Sequence, residues 1–160
     1  MINPELISSC AKLLINRRLT IAFAESATAG RICAEFALAE HAGKFLKGGV
    51  NCYDASLKEQ LLGVKARYIE LFSPESALVT RAITEGLIKL IPADIHMGCT
   101  GLTCPGGSET EVKPVGTMFL YAILNAKPLF NQQMYFKGTP EEIVSKSVEQ
   151  TAALLIAQLG

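Results

Sequence analysis

The chain has 160 residues, 49% of them apolar, and its 15 basic and 15 acidic side chains cancel. This length predicts one domain with a sizeable core, and the lack of a basic cluster argues against nucleic-acid binding. The longest apolar run, Met118–Leu124, is far shorter than the roughly 20 residues that span a bilayer. The opening residues, MINPELISS, lack the regions of a signal peptide. We therefore expect a cytoplasmic protein that binds neither membranes nor nucleic acid.

The cysteines are odd in number and scattered through segments with buried-type patterns. This favours a reduced protein over a disulfide framework. Cys99 and Cys104 are close in sequence, but His96 is the one further metal ligand near them. Structural or incidental roles are the expectation, and a redox or metal role stays open as the alternative. The five cysteines are Cys10, Cys33, Cys52, Cys99 and Cys104.

Capping residues and apolar spacing predict six helices. Asn3-Pro4-Glu5 opens the first helix with a cap, a proline and an acid in the first turn. Asp54 caps a short helix that stops at Gly63, and Thr139-Pro140-Glu141-Glu142 forms a capping box. After the helix that opens at Asn3, the predicted helices cover 28–38, 54–63, 65–71 and 73–90, and the last follows Thr139.

Five apolar segments between these helices are typical of strands. The last two are predicted to pair as antiparallel neighbours, and a glycine-rich loop, 100–113, precedes them. Strands alternate with helices for most of the chain, which predicts an α/β protein, a three-layer α/β/α sandwich with a mixed, mostly parallel sheet. The predicted strands are 20–24, 50–53, 95–99, 115–124 and 129–136, within a single domain of residues 1–160.

The stretch Thr20–Gly30, TIAFAESATAG, is the first candidate for a functional site. A strand runs into a turn of small hydroxyl residues that feeds a helix, and ligands bind at such points in open α/β sheets. Ser26 is the candidate nucleophile, although Ser26 or Thr28 as a helix cap is the simpler alternative. A serine nucleophile needs a base. His41, in a polar turn, and His96, inside a strand, are poor candidates.

Lys58 is the candidate base. With Asp54 as cap, Tyr53 and Lys58 occupy the two positions whose side chains meet in a hydrophobic staple. The helix dipole and desolvation would both lower the pKa of Lys58, whereas Asp54 would raise it. The alternative is a partly buried tyrosine and a solvated lysine.

Glycines in the loop 99–113 allow backbone conformations that are closed to other residues. The amides around Gly101, Gly106 and Gly107 could therefore enclose an anion or an amide oxygen. The same string would also make an ordinary surface loop.

Three segments together, AESATAG, GGVNCYDASLK and TGLTCPGGSETEVKPVGT, resemble the CinA C-terminal domain family over about residues 4–158. Characterised members of that family include nicotinamide-mononucleotide deamidase (PncC). The resemblance implies an α/β/α sandwich that forms a homodimer or larger homo-oligomer, here in a stand-alone form without the preceding domain of longer members. It also implies hydrolysis of a small-molecule carboxamide, a pyridine mononucleotide or related amide, with no metal or other cofactor.

By motif, the resemblance assigns the catalytic roles to Ser26, Tyr53 and Lys58. Neutral Lys58 would take the proton of Ser26, directly or through Tyr53, and amides in 28–30 would stabilise the oxyanion. The residues expected to bind substrate are Thr28, Ala29, Gly30, Gly48, Gly49, Thr100, Gly101, Gly106, Gly107 and Ser108.

The sequence also departs from the family pattern. Ala27 and Ala29 replace a cysteine and a glycine in the nucleophile turn, and Cys104 stands in a shortened loop. Gly138-Thr139-Pro140 occupies the place of a Gly-Asp-Arg segment whose arginine contributes to the substrate site in the family. Proline has no charge or donor, so that contact is expected to be lost unless Lys137 or Arg31 replaces the arginine. Two alternatives therefore stay open: a member that binds a nucleotide or another small ligand without hydrolysing it, and an amidohydrolase with a different amide substrate.

Overall fold

A computed structural model describes residues 1–160, with a five-stranded sheet between two layers of helices. No helix in it is both long and apolar enough to cross a membrane. In chain order the elements are α1 (Pro4–Asn16), β1 (Ile21–Glu25), α2 (Arg31–Ala37), β2 (Leu46–Asn51), α3 (Ala55–Leu62), α4 (Ala66–Phe72), α5 (Ala77–Leu90), β3 (Ile95–Gly101), β4 (Thr117–Leu124), β5 (Lys127–Tyr135) and α6 (Pro140–Leu159), with a 3₁₀ turn at Ala42–Lys44 before β2.

The sheet has the strand order β2-β1-β3-β4-β5 and is mixed, as predicted. β1 pairs in parallel with β2 and β3, whereas β4 is antiparallel to both β3 and β5. Four of the five strands thus run in one direction. The β4–β5 pair is the predicted hairpin, and its turn residues Asn125 and Ala126 have φ of 47° and 65°, as a tight hairpin turn requires.

The helices form two layers because β1 presents different side chains to the two faces of the sheet. Phe23 lies in the larger core, which α1, α2 and α6 cover. Ala22 and Ala24 lie in a smaller core beneath α3 and α5. Successive strand residues point to opposite faces, so small residues on one face let α5 approach the centre of the sheet. The three-layer α/β/α sandwich is confirmed.

The capping signals are confirmed at three helices. The side chain of Asn3 accepts a hydrogen bond from the Glu5 amide at 3.0 Å, and that of Asp54 accepts one from the Ser56 amide at 2.9 Å. Thr139 and Glu142 form the predicted capping box at the start of α6. Each of these helices therefore begins where its local sequence indicates.

Two predicted helix starts are wrong by three residues. α5 begins after Ser76, whose Oγ accepts a hydrogen bond from the Val79 amide at 3.2 Å, and not at Ser73, which has φ of 71°. α2 begins at Arg31 instead of residue 28 because Ala29 and Gly30, with φ of 50° and 91°, are not helical.

The strand boundaries also need correction. β2 begins at Leu46 and includes Gly48 and Gly49, which were expected to precede it, and it ends before Tyr53. A Cβ atom on Gly49 would lie 2.9 Å from the Phe23 carbonyl oxygen, so this edge strand needs glycine where it lies against β1. β3 extends to Gly101, which takes the first two residues of the predicted loop into the sheet.

The contact between α3 and α5 gives a test of the packing that holds Lys58. A Cβ atom on Gly86 would lie 1.9 Å from the Leu62 carbonyl oxygen. Alanine normally stabilises a helix by about 1 kcal/mol over glycine, but here the clash reverses the sign. We expect Gly86→Ala to lower the free energy of unfolding in urea by about 1–3 kcal/mol.

Gly43→Ala is the matched control, because nothing lies within 4 Å of its added Cβ atom. A Gly86→Ala protein as stable as the Gly43→Ala protein would contradict the close packing of the two helices.

Candidate active site

The candidate site lies at the carboxyl ends of the three parallel strands. Ser26 follows β1 directly, and its amide donates a hydrogen bond to the Cys99 carbonyl of β3 at 3.0 Å. On the other side, the Cys52 amide beyond β2 donates to the Glu25 carbonyl at 2.8 Å. The chain leaves β1 for β2 on one side and later returns to β3 on the other, so this is the switch point where open α/β sheets bind ligands.

Lys58 reaches Ser26 from the first turns of α3. Its Nζ donates hydrogen bonds to Ser26 Oγ at 2.9 Å and to the Cys52 carbonyl oxygen at 3.0 Å. Lys58 is 1% exposed and Ser26 is 5% exposed, and no carboxylate bonds the amine. Burial therefore lowers the pKa of Lys58, while the weaker fields of Cys52, Glu75 and Asp54 act to raise it.

Tyr53 stands at the mouth of the site. Its side chain is 59% exposed and forms no hydrogen bond with Ser26 or Lys58, which touch each other directly. The expected alternative, a partly buried tyrosine with a solvated lysine, is wrong: the tyrosine is exposed and the lysine is buried. The structure thus contains no relay from Ser26 to Lys58 through the phenol.

Glu25 is a buried carboxylate that sequence analysis missed. It is 2% exposed and accepts hydrogen bonds from the Ile32 amide at 3.0 Å, the Cys33 amide at 2.7 Å and Thr28 Oγ1 at 2.6 Å. Glu25 therefore satisfies the first amides of α2, and neither Ser26 nor Thr28 caps that helix. The standard N-cap positions give no signal for it, since Glu25 precedes α2 by six residues.

The nucleophile turn leaves three amides without a protein acceptor. The Ala29 amide donates to the Ser26 carbonyl at 2.9 Å, which removes it from the predicted oxyanion site. The amides of Ala27, Thr28 and Gly30 donate to no protein group, although Thr28 is only 2% exposed and Ala27 is 9% exposed. Free amides beside a serine hydroxyl are suited to bind a developing negative charge.

A cavity of about 310 Å³ opens at Ser26, and we call it the Ser26 cavity. Three of the ten expected substrate-binding residues line it: Gly101, Gly106 and Gly107. Its lining consists of Ser26, Ala27, Tyr53, Glu75, Gly101, Leu102, Thr103, Cys104, Pro105, Gly106 and Gly107.

The other expected binding residues do not line the Ser26 cavity. The hydroxyl of Thr28 donates to Glu25, and that of Thr100 bonds Thr80 Oγ1 at 2.8 Å. Gly30 and Gly49 line a separate depression of about 250 Å³ beside β2. The remaining three expected residues line neither the Ser26 cavity nor this depression: they are Ala29, Gly48 and Ser108.

The second feature missed by sequence analysis is Glu75, at the rim of the Ser26 cavity. Ser108 donates a hydrogen bond to one of its carboxylate oxygens, and Lys113 Nζ donates to Ser108 Oγ at 2.8 Å. Lys113 also bonds Ser73 Oγ at 2.6 Å and the Glu75 carbonyl at 2.9 Å. These contacts fix the glycine loop to the segment before α5.

No histidine or cysteine side chain forms a hydrogen bond with the Ser26 hydroxyl. His96 is buried, with Nε2 2.7 Å from the Ile91 carbonyl oxygen. All five cysteines are free, and no three side chains of the metal-ligating types His, Cys, Asp and Glu cluster together. Burial raises the pKa of the Cys99 thiol, whereas Cys104 is exposed at the cavity.

Comparison with known proteins decides the family. The model of the CinA C-terminal domain matches residues 3–159. The chain belongs to the CinA C-terminal domain family. A CinA-like protein of Desulfotalea psychrophila is 33% identical over 142 residues, which are 89% of this chain and 34% of that protein. A CinA-like protein of Endomicrobium trichonymphae is 31% identical over 98% of this chain and 36% of its own length.

Solved structures of CinA superfamily proteins share the fold over nearly the whole chain. A CinA superfamily protein from Klebsiella pneumoniae 700603 superposes with a TM-score of 0.92 at 28% identity, covering 98% of this chain and 96% of that one. A competence damage-inducible protein A from another Klebsiella pneumoniae strain gives 0.93 at 27% identity, covering 99% and 98%. The resemblance seen in the sequence is thereby confirmed. The chain spans about a third of the length of the curated relatives it matches.

The role of Glu25 can be tested by removing its charge. The Glu25 carboxylate accepts hydrogen bonds from three donors, and in Glu25→Gln the side-chain NH2 group would face at least one of them. We expect the free energy of unfolding to fall by about 1–3 kcal/mol and the amide protons of Ile32 and Cys33 to exchange faster with solvent.

Glu59→Gln is the control, since Glu59 is exposed on α3 and its side chain bonds nothing. Unchanged exchange at Ile32 and Cys33 in Glu25→Gln would show that Glu25 does not hold the start of α2.

Proposed function

We propose that this CinA-family protein is an amidohydrolase that uses Ser26 as nucleophile and Lys58 as base, with the carboxamide of nicotinamide mononucleotide as the first substrate to test. The proposal depends on one observation, the buried 2.9 Å contact between Lys58 Nζ and Ser26 Oγ at the floor of the Ser26 cavity. A free serine hydroxyl is a weak nucleophile, and an adjacent neutral amine is able to activate it.

Acylation begins with Lys58 neutral. Its lone pair takes the proton of Ser26 as Oγ attacks the carboxamide carbon, and the carbonyl electrons move onto oxygen. The free amide of Ala27, which lines the Ser26 cavity, donates to that oxyanion. The C–N bond then breaks, the ammonium of Lys58 returns the proton to the leaving nitrogen, and ammonia departs.

Hydrolysis of the acyl-enzyme repeats these proton transfers with water. Lys58 takes a proton from water as its oxygen attacks the ester carbon, and the same proton returns to Ser26 Oγ when the C–O bond breaks. The products are the free enzyme and a carboxylic acid, which loses its proton to solvent to become the carboxylate. Tyr53, at the cavity mouth, is placed to contact the substrate instead of relaying this proton.

A binding function without hydrolysis is the second candidate, and one observation favours it. No basic side chain lines the Ser26 cavity, so a substrate phosphate has no cation to bind there. Arg31 is paired with Glu35 at 2.6 Å and with Glu141 at 3.2 Å. Lys137 is exposed and outside the cavity. A mononucleotide phosphate would extend out of the cavity.

Ammonia release from nicotinamide mononucleotide separates the two candidates. We expect the purified protein to release ammonia and the Ser26→Ala protein to release none above background. Ser9→Ala, which changes an exposed serine on α1, serves as the control and retains full activity. Release that survives in Ser26→Ala would exclude Ser26 as nucleophile, and saturable binding without any release would favour the binding function.

Lys58 predicts a definite pH dependence. Because burial lowers its pKa, the neutral form becomes the main form at a pH below the roughly 10.4 of an ordinary lysine amine. We therefore expect kcat/KM to rise about tenfold per pH unit on the acidic side of that lowered pKa and to level off above it. Steady-state rates between neutral and alkaline pH measure this.

Lys58→Met should lower kcat by about 10³-fold, since it keeps the bulk of the side chain but removes the base. Lys47→Met, at an exposed position on β2, is the matched control and should keep the wild-type profile. An acidic limb that persists unchanged in residual Lys58→Met activity would assign the titration to another group.

A further inference from the structure

One loop forms a whole wall of the Ser26 cavity. It covers residues 102–116 between β3 and β4, contains no helix or strand, and we call it the cavity loop. Residues 102–107 of this loop are six of the eleven residues that line the cavity. Ser26 and Lys58 lie on other segments, the turn after β1 and helix α3. The shape of the cavity therefore depends on how the loop is held, separately from the contact between the serine and the lysine.

The cavity loop is attached to the rest of the protein at two places. Its base is closed by two backbone hydrogen bonds of Leu102, at 2.9 Å and 2.7 Å. Beyond the base, every hydrogen bond that residues 103–113 make with another element ends on the segment 73–75. All of these bonds come from the side chains of Ser108 and Lys113. The outer part of the loop thus has a single polar attachment.

Lys113 is the centre of that attachment. Its ammonium group donates hydrogen bonds to Ser73 Oγ at 2.6 Å, to the Glu75 carbonyl oxygen at 2.9 Å and to Ser108 Oγ at 2.8 Å. Ser108 in turn donates to the Glu75 carboxylate. An ammonium group has three N–H donors, so Lys113 uses all of them here, and its side chain is partly buried. Removing this one amine would break every direct bond of Lys113 and leave Ser108 as the only link.

We propose that Lys113 is a positioning residue that holds the cavity loop beside Ser26 and thereby sets how tightly the Ser26 cavity binds its ligand. The effect on binding rests on the proposed function, whereas the hold on the loop is a property of the protein alone. Lys113 does not line the cavity, so it acts through residues 102–107. The bonds of Lys58 do not involve the loop. Loss of Lys113 should therefore weaken substrate binding far more than it slows the chemical step.

Cleavage by the endopeptidase Glu-C measures the hold on the loop, because Glu109 and Glu111 are exposed in it. We expect Lys113→Met to be cut after these residues about tenfold faster than the wild type, since the open fraction of the loop rises when charge-assisted hydrogen bonds are lost. Ser73→Ala, which leaves the loop sequence unchanged, should accelerate the same cuts about threefold. Lys127→Met, at an exposed position on β5, is the matched control and should be cut like the wild type.

Ammonia release from nicotinamide mononucleotide measures the consequence for the cavity. We expect Lys113→Met to raise KM about tenfold and to change kcat by about twofold or less. The rise in rate with pH should stay as in the wild type, because Lys58 is untouched. A residue that only supported the fold would lower kcat with the fraction of folded protein and leave KM unchanged. Lys127→Met should retain both constants.

Cleavage of Lys113→Met and Ser73→Ala at the wild-type rate would overturn the proposal. So would cleavage after Glu59 on α3 that accelerates as much as cleavage in the loop, because that pattern indicates global unfolding. Faster cleavage of the loop with an unchanged KM would show that the loop does not control binding.

A wild-type protein that releases no ammonia excludes the proposed function and leaves this inference to be decided by binding. Calorimetric titration of nicotinamide mononucleotide into the wild type and Lys113→Met then replaces the kinetic measurement. Faster loop cleavage together with a Kd raised about tenfold supports the positioning role of Lys113. Equal Kd values, or no binding to either protein, exclude it.

Discussion

The buried amine of Lys58 is the constraint on which the rest of the site depends. An ammonium group without a carboxylate partner is costly to remove from water. Here the amine donates hydrogen bonds only to Ser26 Oγ and the Cys52 carbonyl oxygen. Such a group becomes neutral more readily than an exposed lysine. The contact requires that α3 starts next to the end of β1, and the Cys52–Glu25 backbone hydrogen bond holds the two segments together. The pairing of β2 with β1 in the sheet therefore also brings Lys58 to Ser26.

Glu25 supplies the corresponding support on the other side of Ser26. Its backbone carbonyl accepts from Cys52, while its side chain accepts from the first amides of α2 and from Thr28. A single residue therefore connects the segment that carries Lys58 to the turn that presents the hydroxyl. The turn between Ser26 and α2 contains Ala29 at φ of 50°, a conformation that is unfavourable for residues other than glycine. Glu25 offsets this strain through charge-assisted hydrogen bonds.

The sequence was sufficient to predict the layers, the hairpin and the helices with local caps, because each depends on residues a few positions apart. It also placed Lys58 at the fourth position of α3, where it does meet Ser26. Local patterns failed at Ser76, because Ser73-Pro74-Glu75 carries the same type of start signal three residues earlier. They did not find Glu25, because it accepts from amides of α2 from a position six residues before that helix, outside the usual cap positions. They could not find Glu75, because it meets Ser108, 33 residues away, only after the loop has closed.

The departures from the family pattern are related to one another in space. Gly138-Thr139-Pro140, in place of a segment with an arginine, forms the capping box of α6. Arg31 is tied to that helix through Glu141. Arg31 thus joins α2 to α6 and does not line the Ser26 cavity, where the one charged lining side chain is the carboxylate of Glu75.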